Sequence, residues 1–282
     1  MAVFHITFMS KTLYRTVNIV ALIPTDKVSL TEPEKVITPS KFKTLYLLHG
    51  VFGSENDWLY GTRIQRWADE KNLAVIMPAG ENAFYLDHPD WFENYGAFIG
   101  KELVEFTRRT FPLSERREDT FIGGLSMGGF GAIRNGLKYH ETFGAIAALS
   151  AAINLNEENL AVMPEDHILP PLGKKFFRTH MGSDLYAAMD TDVHPRYLVK
   201  QILKSGSEIP KLYLACGTED AGCLPLNENF HEFLLQNGVE HTWVTGPGVH
   251  DWDFWDSQIK KVLEWLPLGE VSSGTTSGSI DA

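Results

Sequence analysis

Short apolar runs, most about five residues long and closed by Gly or Pro, recur along the chain. Continuous apolar runs of this length are typical of strands buried on both faces of a parallel sheet. The predicted strands are residues 16–23, 44–48, 73–77, 120–123, 144–149, 211–215 and 241–245. Amphipathic segments predicted to be helical lie between or after them, chiefly residues 100–110, 227–237 and 257–266. This alternation predicts an α/β fold with a mostly parallel central sheet covered by helices on both faces.

One long segment, residues 152–204, fits the alternation poorly and contains several prolines, namely Pro164, Pro170, Pro171 and Pro195. We interpret it as an insertion. In an open parallel sheet, such insertions lie over the carboxyl ends of the strands, where ligands bind. Residues 1–268 are therefore expected to form a single domain. Residues 269–282, rich in Ser, Thr and Gly, are expected to be a flexible C-terminal tail.

The composition and net charge limit the classes of binding partner that we expect. The 282 residues include 25 Lys and Arg against 36 Asp and Glu, a net charge of −11, which repels nucleic acid and anionic membranes. No run approaches the roughly 20 apolar residues of a membrane span. The first ten residues do not resemble a signal peptide, so a cytoplasmic location is expected. Cys216 and Cys223 are predicted to be reduced thiols, although their spacing permits a single bridge.

The clearest chemical motif is Gly124-Leu-Ser-Met-Gly-Gly129, which directly follows the predicted strand at 120–123 and precedes a helix-compatible run. Gly-x-Ser-x-Gly in a strand–turn–helix context is the pattern of a nucleophile elbow. Glycines two residues before and after the serine avoid a Cβ clash in this sharp turn. The alternative is a glycine-rich turn without chemistry. The context favours Ser126 as a nucleophile.

A serine hydroxyl needs a base, and the chain has ten histidines. His250 lies in a glycine-rich loop between the last predicted strand and the last predicted helix, and the order Ser, acid, His is that of α/β-hydrolases. The acid that orients it should follow the strand at 211–215, where Glu219 and Asp220 are adjacent. We favour Asp220, the shorter side chain and one residue further along the turn. The sequence leaves Glu219 open.

The negative charge of a tetrahedral intermediate needs hydrogen-bond donors. One should be the backbone N–H of Met127, the residue after the proposed nucleophile. The second should come from the loop after the strand at 44–48, with the Val51 amide preferred and the Phe52 amide as the alternative.

Four segments, residues 45–50, 124–132, 216–220 and 246–255, together resemble the esterase D/tributyrin esterase family of α/β-hydrolases. The resemblance implies an α/β-hydrolase fold and a serine carboxylesterase with no metal or organic cofactor. It also implies Ser126, Asp220 and His250 as catalytic residues, with the Val51 and Met127 amides as the oxyanion hole. Leu125 stands where S-formylglutathione hydrolases usually carry histidine, which favours short-chain acyl esters.

The expected function is therefore hydrolysis of acetyl- or butyryl-type esters, acetylated carbohydrates among them, through an acyl-Ser126 intermediate. The alternatives are a feruloyl or cinnamoyl esterase, an S-formylglutathione hydrolase and a non-catalytic carbohydrate-binding protein on a hydrolase fold. A homodimer is compatible with the composition. No metal site is expected, because zinc motifs such as His-Glu-x-x-His are absent from the sequence. The residues expected to contact the substrate are Phe52, Trp58, Leu125 and Trp252.

Overall fold

The computed structural model describes residues 1–27, 39–88, 91–154, 156–169 and 173–269. Its principal strands are β1 (Ala2–Ser10), β2 (Arg15–Ile23), β3 (Lys43–Leu48), β4 (Leu73–Pro78), β7 (Thr120–Leu125), β8 (Ala145–Leu149), β9 (Lys211–Gly217) and β10 (Thr242–Gly246). These form one sheet in the order β1-β2-β4-β3-β7-β8-β9-β10, and β5 (Asp87–His88) pairs separately with β6 (Glu93–Asn94). Strand β2 is antiparallel to both β1 and β4, whereas the neighbours from β4 to β10 are parallel. The predicted mostly parallel sheet is confirmed.

Helices connect most of the strands. Those before β7 are α1 (Asp57–Gly61), α2 (Ile64–Glu70), α3 (Tyr95–Ala97) and α4 (Leu103–Thr110), with a π-helical stretch (Phe98–Glu102) and a 3₁₀ turn (Arg117–Asp119). Those that follow are α5 (Met127–Lys138), α6 (Glu157–Val162), α7 (Lys174–Met181), α8 (Leu185–Ala188), α9 (Pro195–Ser205), α10 (Leu224–Gln236) and α11 (Trp252–Trp265).

The sheet separates two hydrophobic layers because successive strand residues face opposite sides. In β3, Tyr46 and Leu48 belong to one layer and Leu45 and Leu47 to the other. The first layer is completed by side chains of α4, α5, α9 and α10, and the second by those of α1, α2 and α11. Helices therefore cover both faces, as predicted.

Strand β1 is not among the predicted strands. Most of its residues are exposed or only partly covered, so the strand lacks the continuous buried apolar run that marks the central strands. Helix α11 begins at Trp252 rather than at residue 257, because the Asp251 carboxylate caps it by accepting the Phe254 N–H at 3.1 Å. The predicted tail lies outside the described residues, apart from Gly269.

The segment predicted as an insertion contains α6 to α8 and most of α9, and it joins the adjacent parallel strands β8 and β9. Among the described residues, no helix is both long and apolar enough to cross a membrane.

Candidate active site

Ser126 occupies the sharp turn between β7 and α5, with φ 54° and ψ −119°. A positive φ is strained for a residue with a side chain, so the turn must be held by its surroundings. The Ser126 N–H donates to the Leu149 carbonyl at 2.9 Å, and the Ser126 carbonyl accepts the Ala152 N–H at 3.0 Å. The end of β8 and the residues after it therefore fix the turn that presents the hydroxyl.

Two glycines make this turn possible. A Cβ on Gly124 would lie 2.3 Å from the Gly128 carbonyl oxygen, and a Cβ on Gly128 would lie 2.3 Å from the Leu48 carbonyl oxygen. Both obstacles are main-chain atoms that cannot rotate away. The spacing of the Gly-x-Ser-x-Gly motif thus follows from close packing between the turn, the start of α5 and the end of β3.

The structure brings Ser126, His250 and Asp220 together from the carboxyl ends of three parallel strands. His250 Nε2 lies 3.0 Å from Ser126 Oγ, and His250 Nδ1 lies 2.7 Å from Asp220 Oδ2. A carboxylate can only accept, so Nδ1 carries the ring hydrogen and Nε2 offers its lone pair to the hydroxyl. This arrangement can withdraw the proton from Ser126 when its oxygen attacks an electrophile.

The environment keeps the Asp220 carboxylate ionised. Its side chain is only 3% exposed, and burial by itself would raise its pKa. Hydrogen bonds from His250, the Cys223 amide and Ser150 outweigh burial, so the pKa of Asp220 lies below its ordinary value of 3.8. An ionised partner at Nδ1 stabilises the imidazolium that forms when His250 takes a proton.

Glu219, which the sequence could not separate from Asp220, has a different position. Its carboxylate is exposed and accepts the Gly248 N–H at 2.5 Å, while its own N–H donates to the Gly248 carbonyl at 3.1 Å. Glu219 therefore ties the loop after β9 to the loop that carries His250. Asp220 alone of the two acids contacts the imidazole.

Two residues whose backbone amides are candidates for the oxyanion hole, Val51 and Met127, line the same cavity as Ser126. Met127 is the first residue of α5, so its N–H has no partner within the helix. In the loop after β3, the Phe52 N–H donates to Asn82 Oδ1 at 2.8 Å, whereas no hydrogen bond of the Val51 N–H is found within the described residues. Of the two alternatives left by the sequence, Val51 is thus the available donor.

His49 fixes the peptide that carries the Val51 N–H. His49 Nδ1 lies 2.6 Å from the Gly50 carbonyl oxygen, and Nε2 accepts the Gly80 N–H at 2.8 Å. Because the Gly50 C=O and the Val51 N–H belong to one planar trans peptide, holding the carbonyl sets the direction of the amide. His49 is only 1% exposed, and burial lowers its pKa below the ordinary 6.5. The ring is therefore neutral in the arrangement that these bonds require.

A cavity of about 580 Å³ opens at Ser126 and His250. Its walls are mainly apolar, formed by Val51, Phe52, Phe84, Met127, Ala152, Leu169 and Val249. Asn154, Glu219, Asp220 and Cys223 add polar atoms. A separate cavity of about 640 Å³, beside β9 and β10, contains none of the predicted site residues.

Of the four predicted substrate contacts, Phe52 lines the cavity, but Trp58, Leu125 and Trp252 do not. Trp58 is 1% exposed, and its indole N–H donates to the Leu48 carbonyl at 2.9 Å. Trp252 packs edge-on against Trp58, and Leu125 is 3% exposed at the end of β7. All three contribute to the hydrophobic layer formed with α1, α2 and α11, Trp252 as a partly buried member, so the structure does not place them at the cavity wall.

Several residues that shape the site were missed. Asn82 and Phe84 lie in the segment after β4, far in sequence from the motifs, and no local pattern marks them. Both cysteines are free, and Cys223 lines the cavity. Burial raises the pKa of the Cys216 thiol to about 12 and that of Cys223 well above its ordinary value. Neither thiol is an activated nucleophile at neutral pH.

An α/β-hydrolase fold with a serine hydrogen-bonded to a His–Asp pair places the protein in the class of the serine hydrolases. The chain belongs to the esterase family: the model described as "Putative esterase" matches residues 25–266. The protein is a serine carboxylic ester hydrolase.

Curated and solved relatives agree with this class. An acetyl esterase of Caldicellulosiruptor saccharolyticus is 41% identical over 266 residues, 94% of this chain and 98% of the relative. S-formylglutathione hydrolase FrmB of Staphylococcus aureus is 30% identical with a TM-score of 0.78, covering 95% of this chain and 99% of its own. The fluorophosphonate-binding serine hydrolase FphF of Staphylococcus aureus is also 30% identical, with a TM-score of 0.79 and the same coverage.

Proposed function

We propose that this carboxylesterase hydrolyses short-chain acyl esters, acetyl esters above all, through a covalent acyl-Ser126 intermediate. The observation that carries the proposal is the continuous hydrogen-bonded chain from Ser126 through His250 to Asp220 at the wall of a mainly apolar cavity. The similarity to an acetyl esterase over nearly the whole chain supports the choice of acyl group.

In the first half of the reaction, Ser126 Oγ attacks the ester carbonyl while its proton passes to His250 Nε2. The carbonyl oxygen becomes an oxyanion that accepts hydrogen bonds from the Val51 and Met127 amides. When the intermediate collapses, the bond to the leaving alcohol breaks, and the alcohol oxygen takes the proton from Nε2. The products are a free alcohol and an acyl-Ser126 ester.

Water completes the cycle. His250 Nε2 accepts a proton from water as its oxygen attacks the acyl carbonyl, and the same two amides hold the second oxyanion. Collapse breaks the bond to Ser126 Oγ, which recovers its proton from His250 and releases the carboxylic acid. No step requires a group from outside the chain except water.

The charges around the cavity favour an uncharged substrate. Among the described residues that line it there is no Lys or Arg, and the Glu219 carboxylate stands at its wall. Glutathione carries two carboxylates, which would meet this negative wall without a cationic partner. Leu125 in place of histidine before the nucleophile supports the same preference.

S-formylglutathione hydrolysis is the second candidate, because a hydrolase of that name is 30% identical over 95% of this chain. A non-catalytic role is disfavoured by the completeness of the Ser–His–Asp chain. The likeness to a ferulic acid esterase, at 22% identity, concerns the fold alone.

The deciding experiment compares kcat/KM for nitrophenyl acetate, nitrophenyl butyrate, an acetylated sugar, methyl ferulate and S-formylglutathione. We expect the acetyl esters to lead and S-formylglutathione to be a poor substrate. A higher kcat/KM for the thioester would overturn the proposed substrate class.

The intermediate has its own test. A fluorophosphonate should label the wild type once, at Ser126, and should not label Ser126→Ala. The substitution should lower kcat by roughly 10⁴-fold or more. Full activity of Ser126→Ala, or labelling at another residue, would disprove the acyl-Ser126 mechanism.

A further inference from the structure

Three donor atoms of different chemistry cluster beside the proposed nucleophile. A carboxylate oxygen of Asp220, the sulfur of Cys223 and a ring nitrogen of His250 all lie within 4.8 Å of one another. All three residues also line the active-site cavity, and the His250 side chain is the exposed member, at 37%. Sulfur, nitrogen and oxygen donors together suit Zn²⁺ or Cd²⁺, whereas Mg²⁺ and Ca²⁺ prefer oxygen alone.

We propose that Asp220, Cys223 and His250 form a binding site for a thiophilic divalent cation, and that the bound ion inhibits the esterase. The inhibitory part rests on the proposed function, since it requires His250 to be the general base. The binding part depends only on the cluster.

The backbone explains why the cysteine is so close to the carboxylate. Asp220 Oδ1 accepts the Cys223 N–H at 3.0 Å, and the Asp220 carbonyl accepts the Leu224 N–H at 2.8 Å. These bonds form a tight turn before α10 and place positions 220 and 223 on the same side. Cys223 therefore extends the Asp220–His250 pair into a three-residue group.

Binding needs side-chain movements of roughly 1 Å, since the three donor atoms now lie at most 4.8 Å apart. Ligands about 2.0–2.3 Å from a tetrahedral ion lie roughly 3.3–3.8 Å apart, and His250 Nδ1 is now 2.7 Å from Asp220 Oδ2. The ring must therefore move outward by about half an ångström or more. Its side chain is 37% exposed, which leaves room for that movement.

The ion would inactivate the base through its tautomer. On binding, the thiol proton is released, and the cation takes the Nδ1 lone pair in place of hydrogen. The single hydrogen of the neutral ring then resides on Nε2. Nε2 becomes a donor to Ser126 and cannot accept the hydroxyl proton. Removal of the ion by a chelator restores the original tautomer and the activity.

The binding experiment uses the full-length Ser126→Ala protein, so that its outcome does not depend on catalysis. Titration with Cd²⁺ should produce a thiolate-to-cadmium charge-transfer band in the ultraviolet. The band should persist in the double variant Ser126→Ala/Cys216→Ser and disappear in the double variant Ser126→Ala/Cys223→Ser. No band, or a band retained with Cys223→Ser, would refute the site.

The activity experiment uses chelator-treated enzymes and nitrophenyl acetate, with each variant compared with its own metal-free rate. Zn²⁺ should inhibit the wild type and Cys216→Ser reversibly, whereas Mg²⁺ should not. Cys223→Ser should need at least about tenfold more Zn²⁺, since even outer-shell changes cost 10- to 100-fold in affinity. Cadmium binding without inhibition would refute the inhibitory part alone, and equal zinc sensitivity of both cysteine variants would refute the site.

Discussion

Glu219 and Gly248 form a reciprocal pair of hydrogen bonds between the two loops that carry the proposed acid and base. The Glu219 carboxylate accepts the Gly248 N–H, and the Gly248 carbonyl accepts the Glu219 N–H. Since His250 follows Gly248 by two residues and Asp220 follows Glu219 directly, this pair sets the distance between imidazole and carboxylate. An acid that does not touch the imidazole therefore helps to position it.

Removing the Glu219 carboxylate should lower activity moderately. Glu219→Ala loses one of the two bonds between the loops that carry Asp220 and His250, so kcat should fall roughly 5- to 20-fold. Glu219→Gln keeps an acceptor oxygen and should retain more of the activity. Steady-state kinetics on nitrophenyl acetate would test this order. Equal losses in the two variants would show that the carboxylate acts by its charge rather than by its bond to Gly248.

Asp220→Asn should be far more damaging. The amide can donate a hydrogen bond to Nδ1, which places the ring hydrogen on Nε2 and removes the base, so kcat should fall by about 10⁴-fold. The fold should survive because the side chains are nearly the same size, and circular dichroism would check this. A loss no larger than that of Glu219→Gln would mean that Asp220 is not the orienting acid.

Asn82 is expected to affect the rate of hydrolysis by holding the loop that supplies the oxyanion donor. Its side-chain oxygen accepts the Phe52 N–H, and Asn82→Ala removes that bond. We expect kcat to fall roughly two- to tenfold, with KM less affected, because the weakened contact serves the transition state. Asn82→Asp preserves the acceptor and is the matched control. An increase in KM alone would indicate a role in substrate binding instead.

Proton uptake by His49 on unfolding should make the protein less stable in mild acid. Burial holds its pKa in the folded state below the ordinary 6.5, although Asp57, Glu55 and Glu81 oppose this shift. The unfolded chain therefore binds more protons just below pH 6.5, and stability is lost as the pH falls through this range. One proton accounts for at most about 1.4 kcal/mol per pH unit.

Urea unfolding of the wild type and His49→Gln between pH 7.5 and 5 would isolate this contribution, because the other histidines are common to both proteins. Gln retains an acceptor for the Gly80 N–H. The free energy of unfolding should fall more steeply with acid in the wild type. Parallel curves would show that His49 does not take up its proton on unfolding.

Gly124→Ala should destabilise the protein strongly, by about 3 kcal/mol or more, because the new methyl group would meet the Gly128 carbonyl. Gly246→Ala is a suitable control, since no atom lies within 4 Å of a Cβ added there. Chemical denaturation of both variants would measure the difference. A mild effect at Gly124 would imply that α5 can shift away from β7.

Much of the fold could be predicted because the central strands are buried on both faces. Such strands need nearly uninterrupted apolar residues. The segments at 44–48, 73–77 and 120–123 have this pattern, and all three are buried strands in the structure. Strand β1 could not be recognised in this way, because an edge strand with one exposed face lacks such a run. The short helices α6 to α8 lie in proline-containing sequence, where helical periodicity has too few residues to develop.

The polar members of the site could be placed because the chain order and the strand ends restrict them. Aromatic contacts could not, because a tryptophan after a strand can face either the cavity or the core. Trp58 is buried and the partly buried Trp252 packs against it, whereas Phe84, without any motif, lines the cavity. The side on which a side chain lies is decided by packing between distant segments.

The connection from β8 to β9 carries α6 to α8 and most of α9, yet its two ends enter neighbouring strands in fixed parallel register. Beyond Ala152, whose N–H holds the Ser126 carbonyl, its length and sequence can therefore change while the serine, the acid and the histidine keep their spacing. Selection for a new acyl or alcohol group can change this part of the connection without disturbing the hydrolytic chemistry. The choice of substrate and the chemistry of hydrolysis can therefore depend on different parts of the chain.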